Sequence, residues 1–528
     1  MKTPERTGQG VVLPTVTEKP ESALEDNSGT VRDGGWVRWD FLLCLVVAVT
    51  SAFIVPLTDP DLPMHLRTGA WILDNGRVPL TEPFAWTRAG APFYAYSWVP
   101  EVLYELAWRA GGRSALSALH ALLLGAVVVT AWDLARAARW SVWATRLTLA
   151  VHLLLWHNWL LATRPQLFTA IVLPMAWAGA YRLTSGSTRE SHWRTVVLLL
   201  LANAVAVNSH LVFPLMLAPV VVFLSAPEVR WKNLGIFVGV TLAGWAISPY
   251  ALHLGRMLAL NFGRNALQGA ASPIMEMEGG FAFLLHAPPG IRLIVGGLLL
   301  LPLVPYFAES SRRARWWFGL AWLAGLGLFG IAIRGMLLWW LLALPLVAGA
   351  VATLPLPSMR STRRAVVACW IVAITIMIGQ SLKMREQVPD TAPLPLESAA
   401  PLEPAVRWLS CVTRDGGRLQ RAITTFNHGS YLTWRLPQLS WSIDGRVIFP
   451  DSVARPEAGQ FLKSGAPVEP PWRSADVVLL NATHATLPTV IRDRGWQHIP
   501  LAVPDSSEAV TLVVRRELAA RGASCPSG

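Results

Sequence analysis

FLLCLVVAVTSAFIVPLTDPDLPMHLRTG, residues 41–69, is an apolar stretch that stops abruptly at Asp59-Pro60-Asp61 and continues into a histidine one helical turn later. Its first part, 41–57, carries no charge and has about the length needed to cross a hydrocarbon layer roughly 30 Å thick. Comparable runs recur at 114–133, 147–162, 167–183, 195–207, 211–226, 235–250, 291–308, 317–333, 335–355 and 365–384. The spacing predicts a polytopic α-helical membrane protein of about 11 spans, because each run must satisfy its own backbone groups in lipid. The stretch 195–226 reads either as a hairpin turning at Asn208-Ser209-His210 or as one broken helix.

Composition agrees. The chain has 528 residues, 53% hydrophobic and only 15% charged, with 26 tryptophans against 7 tyrosines. That excludes a disordered chain or a small disulfide-stapled domain. The net charge of +12 comes from arginines dispersed through short loops, with no continuous basic face for nucleic acid. Arg136, Arg139, Arg146, Arg182, Arg189, Arg194, Arg230, Lys232 and the arginines at 312–315 and 360–364 occupy one set of short loops; the short loops of the other set hold only Arg164 and Arg334. The charge rule makes the first set cytoplasmic. It places the N-terminus inside and puts residues 58–113, 251–290 and the C-terminal tail outside the cytoplasmic membrane. Residues 1–35, polar and rich in Pro, Thr and Glu, read as a disordered cytoplasmic tail. The first span begins too late for a cleavable signal peptide.

From about residue 396 the pattern changes. Segments 421–426, 441–444, 476–481, 496–503 and 509–515 read as strands; 402–413, 429–436, 453–463 and 485–494 read as helices. This predicts a small C-terminal extracytoplasmic α/β domain over 402–528, joined by a Pro/Ala-rich linker at 385–401. Cys411 and Cys525 both fall there; their spacing fits a disulfide or two separate thiols equally well.

The first outer loop holds the densest chemistry. Asp59 and Asp61 can divide labour as base and orienting group. They equally suit the end of a helix at the water boundary. His65 follows Asp61 by one helical turn, so both can share a face. Asp59, Asp61 and His65 would also be the donors for a divalent metal, although a third strong ligand is not evident. Segments 62–75 and 97–110 read as interfacial amphipathic helices, the second with Trp98, Val102, Leu106 and Ala107 on its apolar side and Glu101, Glu105 and Arg109 elsewhere. Arg164 and Arg334, isolated at outer turns, suit a phosphate or the interface. His210 reads as a phosphate donor or a structural histidine. Glu276 reads as a second acid or a solvated loop charge.

The run Asp59-x-Asp61…His65…Gly69…Gly76…Pro79-x-Thr81-x-Pro83-Phe84 resembles the first outer loop of bacterial GT-C type membrane glycosyltransferases, in particular the mannosyl- and aminoarabinose-transferase-like branch. Further matches follow in order: Trp98-x-x-Glu101-Val102-Leu103, Arg164-Pro165-Gln166, Asn208-x-His210, Ser248-Pro249-Tyr250, Arg334, and in the tail Phe426-Asn427-His428-Gly429 and Ile443-Asp444-Gly445-Arg446. The chain departs from the group at Leu62-Pro63-Met64, where aromatic residues are common, at Ser248 in place of Asn, and in having one arginine near 334. The resemblance implies a transferase that moves a sugar from a polyprenyl-phosphate carrier to a glycan, lipid or protein acceptor, with Asp59 or Asp61 as base. Other readings of the same spans are a transporter or flippase of lipid-linked saccharide and a non-catalytic membrane scaffold.

Overall fold

The computed structural model describes residues 35–140 apart from 55, 56 and 58; 163–262 apart from 186, 187 and 227; 279–300; 312–353 apart from 333 and 334; 399–414; 420–446 apart from 445; 471–501 apart from 485 and 486; and 509–526, with scattered single positions between them. Helix α1 (Gly35–Ile54) leads to α2 (Leu62–Asn75), whose start carries Pro63 in its first turn and whose end is a left-handed Gly76. Helix α3 (Trp98–Ala137) is bent at Gly111–Gly112, where Gly112 has φ 56°. The bend divides the amphipathic segment expected at 97–110 from the apolar run expected at 114–133.

Helices α4 (Gln166–Thr184) and α5 (Arg189–Val207) follow. The chain turns at Asn208–His210, passes through a 3-10 segment Phe213–Leu217 and α6 (Val220–Ser225), and returns in α7 (Trp231–Ala246). Then come α8 (Leu254–Phe262), α9 (Gly280–His286), α10 (Pro289–Leu300), α11 (Arg312–Ile331) and α12 (Gly335–Thr353). Helix α4 packs against α3, α5 and α6 and is buried on all sides through residues such as Leu173, Ala176 and Trp177. The outer helices have the reverse character. Leu42, Val46 and Phe53 of α1, Leu122 of α3 and Leu201 of α5 are exposed. Such contiguous apolar faces are stable against lipid and unstable against water.

Among the described residues, α3 and α4 are long and apolar enough to cross a membrane, and α7 joined to Ala251–Asn261 across a bend of 100° makes a third. Phe41–Phe53, Phe213–Ser225 and Gly335–Pro345 are apolar but shorter. The expected count of about 11 spans is therefore not reproduced within the described residues. The expected spans 147–162 and 365–384 lie largely outside them, as do the tail 1–34, most of the linker 385–401 and the helix expected at 453–463.

The C-terminal part holds a five-stranded sheet: β1 (Gln420–Ile423), β2 (Leu439–Trp441), β3 (Val477–Asn481), β4 (Trp496–Ile499) and β5 (Val510–Arg515), in the order β2-β1-β3-β5-β4. Strand β1 is parallel to both neighbours, and β5 is antiparallel to β3 and β4. Val477 to Leu480 are all buried, so the central strand is covered on both faces. Helices α13 (Glu403–Val412), α14 (Phe426–Arg435), α15 (Leu487–Arg492) and α16 (Arg516–Arg521) accompany the sheet. Cys411 and Cys525 are joined as a disulfide that closes 114 residues, settling the choice that spacing left open.

This sheet docks on the loop between α2 and α3. Ala85 forms a parallel bridge with Trp441, Ser440 Oγ donates to the Phe84 carbonyl (2.9 Å), and Trp86 Nε1 donates to the Ala422 carbonyl (3.1 Å). The Thr87 hydroxyl donates to the Ser442 carbonyl. Helix α14 packs directly on α2.

Candidate functional site

Asp59 precedes α2 and its side chain is wholly buried. One carboxylate oxygen accepts the Asp61 backbone N–H at 3.0 Å; the other accepts Arg164 Nε at 2.8 Å. Arg164 also reaches Asp61, with Nη2 3.5 Å from Oδ2. It sits beside Pro165 at the head of α4, so one guanidinium ties the approach to α2 to the start of a buried helix. The two acids have different settings: the Asp61 side chain is 40% exposed, whereas that of Asp59 is closed off. The Asp61 carbonyl accepts the N–H of Met64 and of His65, opening α2 so that His65 lies on the adjoining turn.

His65 Nδ1 lies 3.2 Å from Glu101 Oε1, which also accepts from Ser97 Oγ at 3.0 Å. Burial pulls the imidazolium down, but the hydrogen bond to Glu101 and the charges of Glu101, Asp61 and Asp59 outweigh it and hold His65 above its ordinary value of 6.5. The His65 ring meets Tyr104 edge-on at 6.3 Å. Two α3 acids were expected away from the packed side of their helix, and the structure buries both, while Trp98, Val102 and Ala107 of the expected apolar side also stay packed. Glu101 and Glu105 are buried toward α2, while Leu103 and Leu106 are exposed. Helices α2 and α3 meet at Gly69, where a Cβ would stand 2.1 Å from the Glu101 carbonyl oxygen.

The other predicted residues lie as follows. Arg164, read as a phosphate ligand or an interface residue, is engaged by Asp59 and Asp61. His210 Nδ1 is 3.0 Å from Thr169 Oγ1, and its neighbour Asn208 accepts from Trp98 Nε1 at 2.8 Å, so the 208–210 turn is fastened to the heads of α3 and α4. A shallow recess, with room for about a single water, opens beside it, lined by Thr169, Leu173, Ala206 and Phe213. Arg334 and Glu276 lie outside the described residues. In the tail, the missing Cβ of Gly429 lets α14 approach the Ile443 carbonyl, which a Cβ would meet at 2.1 Å.

Asp444 of the tail is buried and bound to Arg446, whose Nε is 2.7 Å from Asp444 Oδ1 and whose Nη2 is 2.8 Å from Glu82 of the loop between α2 and α3. Burial raises the Asp444 carboxyl against the pull of Arg446. Burial also disfavours the charge on Arg446, but the two carboxylates and the Phe84 and Phe93 rings around it more than compensate.

No three side chains of metal-binding type come together among the described residues. Asp59 has its oxygens committed to Arg164 and a backbone N–H, and a cation there would displace a guanidinium. The donor set does not fit a metal. Sequence reasoning missed Glu101, Ser97 and Tyr104. The Ser97–Glu101 spacing of four residues was the available signal, pointing to one helical face with Tyr104 near it.

The arrangement defines a class: a helical membrane core in which the segment between α1 and α2 carries a buried acid, held against the head of an inner helix, with an α/β tail docked on the loop between α2 and α3. Comparison with solved structures agrees. The chain superposes on ArnT from Cupriavidus metallidurans, bound to undecaprenyl phosphate, with a TM-score of 0.55 at 14% identity over 92% of this chain and 99% of that one. It superposes on the mycobacterial arabinofuranosyltransferase AftD with a TM-score of 0.56 at 17% identity, over 90% of this chain and 40% of that one. It superposes on the Archaeoglobus fulgidus oligosaccharyltransferase in its apo form with a TM-score of 0.57 at 12% identity, over 85% and 70%. No family profile and no curated protein matches the chain. The protein has the GT-C type membrane glycosyltransferase fold.

Proposed function

We propose that the protein is a membrane glycosyltransferase that moves a sugar from a polyprenyl-phosphate carrier to an acceptor hydroxyl on the outer side of the cytoplasmic membrane. Asp61 is the base. It takes the proton of the acceptor hydroxyl, the acceptor oxygen bonds to the anomeric carbon, and the bond from that carbon to the carrier phosphate breaks with its electron pair leaving on the phosphate. Asp59, closed off and bound to Arg164, positions the loop. The observation that carries this reading is the unequal acid pair: one carboxylate locked by an arginine and one accessible, 3.5 Å from the same guanidinium, at the head of α2. The carriers bound by structural neighbours support a polyprenyl phosphate as the donor lipid. The site lies at the end of α3 and α4 opposite the Asp133–Arg182 ion pair, in keeping with the arginine-poor loops being outside.

The test is a transfer assay in membranes with a panel of polyprenyl-phosphate sugars. Asp61→Asn should lower transfer by about 100-fold or more, the usual worth of a general base, at unchanged protein level. Unchanged transfer in this variant removes Asp61 from the role. No consumption of any donor by the parent chain defeats the reading.

A further inference from the structure

Glu101 has no part in the scheme above, yet it is built into the site. It is 5% exposed, it accepts from Ser97, and it faces His65 Nδ1 across the narrow gap that Gly69 permits between α2 and α3. Its second carboxylate oxygen and the Tyr104 hydroxyl are buried with no hydrogen-bond partner among the described residues. A buried carboxylate of this kind is costly unless a cation answers it. Arg164 is engaged by Asp59 and Asp61, so the cation that answers Glu101 is His65.

We propose that Glu101 is a positioning residue that orients His65 through Nδ1–H and keeps the imidazole charged, so that its second ring N–H receives the phosphate of the lipid donor. This rests on the transferase reading of the same site. The groups facing His65 are Glu101 and Tyr104 from α3, Asp59 and Asp61 ahead of α2, and Arg164 from the head of α4 through those two acids. Three carboxylates against one guanidinium would repel a phosphate. A charged His65 offsets that repulsion where the leaving group must sit, and no proton needs to leave the ring during transfer. The His65 side chain is 15% exposed, enough for contact with a bound headgroup.

The experiment measures binding of undecaprenyl phosphate to the full-length protein in detergent between about pH 5 and pH 8, the range in which histidine charge changes. Parent affinity should fall as pH rises. Glu101→Gln should bind about tenfold more weakly at neutral pH, with its fall moved to lower pH by about one unit, and Glu101→Asp should recover part of the loss. His65→Gln should bind weakly at every pH, and adding Glu101→Gln to it should cost nothing more. Ser97→Ala, which leaves the dyad in place but loosens it, guards against a Glu101 variant that fails to fold, and should weaken binding a few-fold. The proposal is overturned by a Glu101→Gln profile equal to the parent's, by additive losses in the double variant, or by a parent that binds at no pH. A parent that binds with the expected profile but consumes no donor sugar defeats the transferase reading and leaves the dyad standing.

Discussion

At the scale of single residues, the deciding contrast is between Asp59 and Asp61. An ion pair as enclosed as Asp59–Arg164 adds little net stability over a well-packed apolar pair, but breaking it strands a charge. Arg164→Gln should therefore destabilise the protein by about 3–5 kcal/mol, read as a lower unfolding temperature in detergent, whereas Asp61→Asn should leave that temperature unchanged. His428 offers a second test. It is buried on α14 with no hydrogen-bond partner for Nδ1 among the described residues, and burial pushes it down to about 4. A histidine depressed in the folded state costs no stability above its ordinary value near 6.5. As pH falls from there to about 4, the unfolded chain binds a proton that the folded chain refuses. The loss should reach about 3 kcal/mol at the acid end, and His428→Gln should flatten that dependence in a melting series against pH.

At the scale of elements, the α2–α3 contact sets the geometry of the site. Gly69→Ala would force a methyl against the Glu101 carbonyl, so α3 must shift. The expected cost is about 1–3 kcal/mol and a fall in phosphate affinity, checked by melting and by lipid binding. The same contact shows where reading the sequence stops. The tail strands were legible, since short apolar runs between turn residues have one sensible fold; β3 and β5 fall within a residue of their expected places, and β1 starts one residue early and ends three residues short of 421–426. The helices at 62–75 and 97–110 were legible from their periodicity. Which side of the second helix packs inward was not. The inward side is wider than the apolar stripe: it keeps Trp98, Val102 and Ala107 and also takes Glu101 and Glu105, while Leu106 turns outward. Asp59 and Arg164 are 105 positions apart, and nothing in one sequence pairs them. The Cys411–Cys525 link was equally invisible, because it depends on α13 and the C-terminal turn meeting in space.

At the scale of the whole molecule, the tail is stapled to itself and to the loop between α2 and α3. A disulfide closing a loop of this size contributes about 4–5 kcal/mol in the chain-entropy account. Cys411→Ser should therefore lower the melting temperature of the tail, and Cys411 and Cys525 in the parent should resist alkylation until reductant is added. Arg446 joins Glu82 to Asp444, and both carboxylates are buried. Arg446→Met would leave two buried carboxylates facing each other, and the expected result is release of the 82–87 loop, measured as new protease cuts there.

The Ala85–Trp441 bridge also constrains biogenesis. The segment that completes the sheet edge emerges early in synthesis, and its partner strand is made more than three hundred residues later. The early loop must remain without that strand while every intervening helix is made, and it can close only once β2 has followed them.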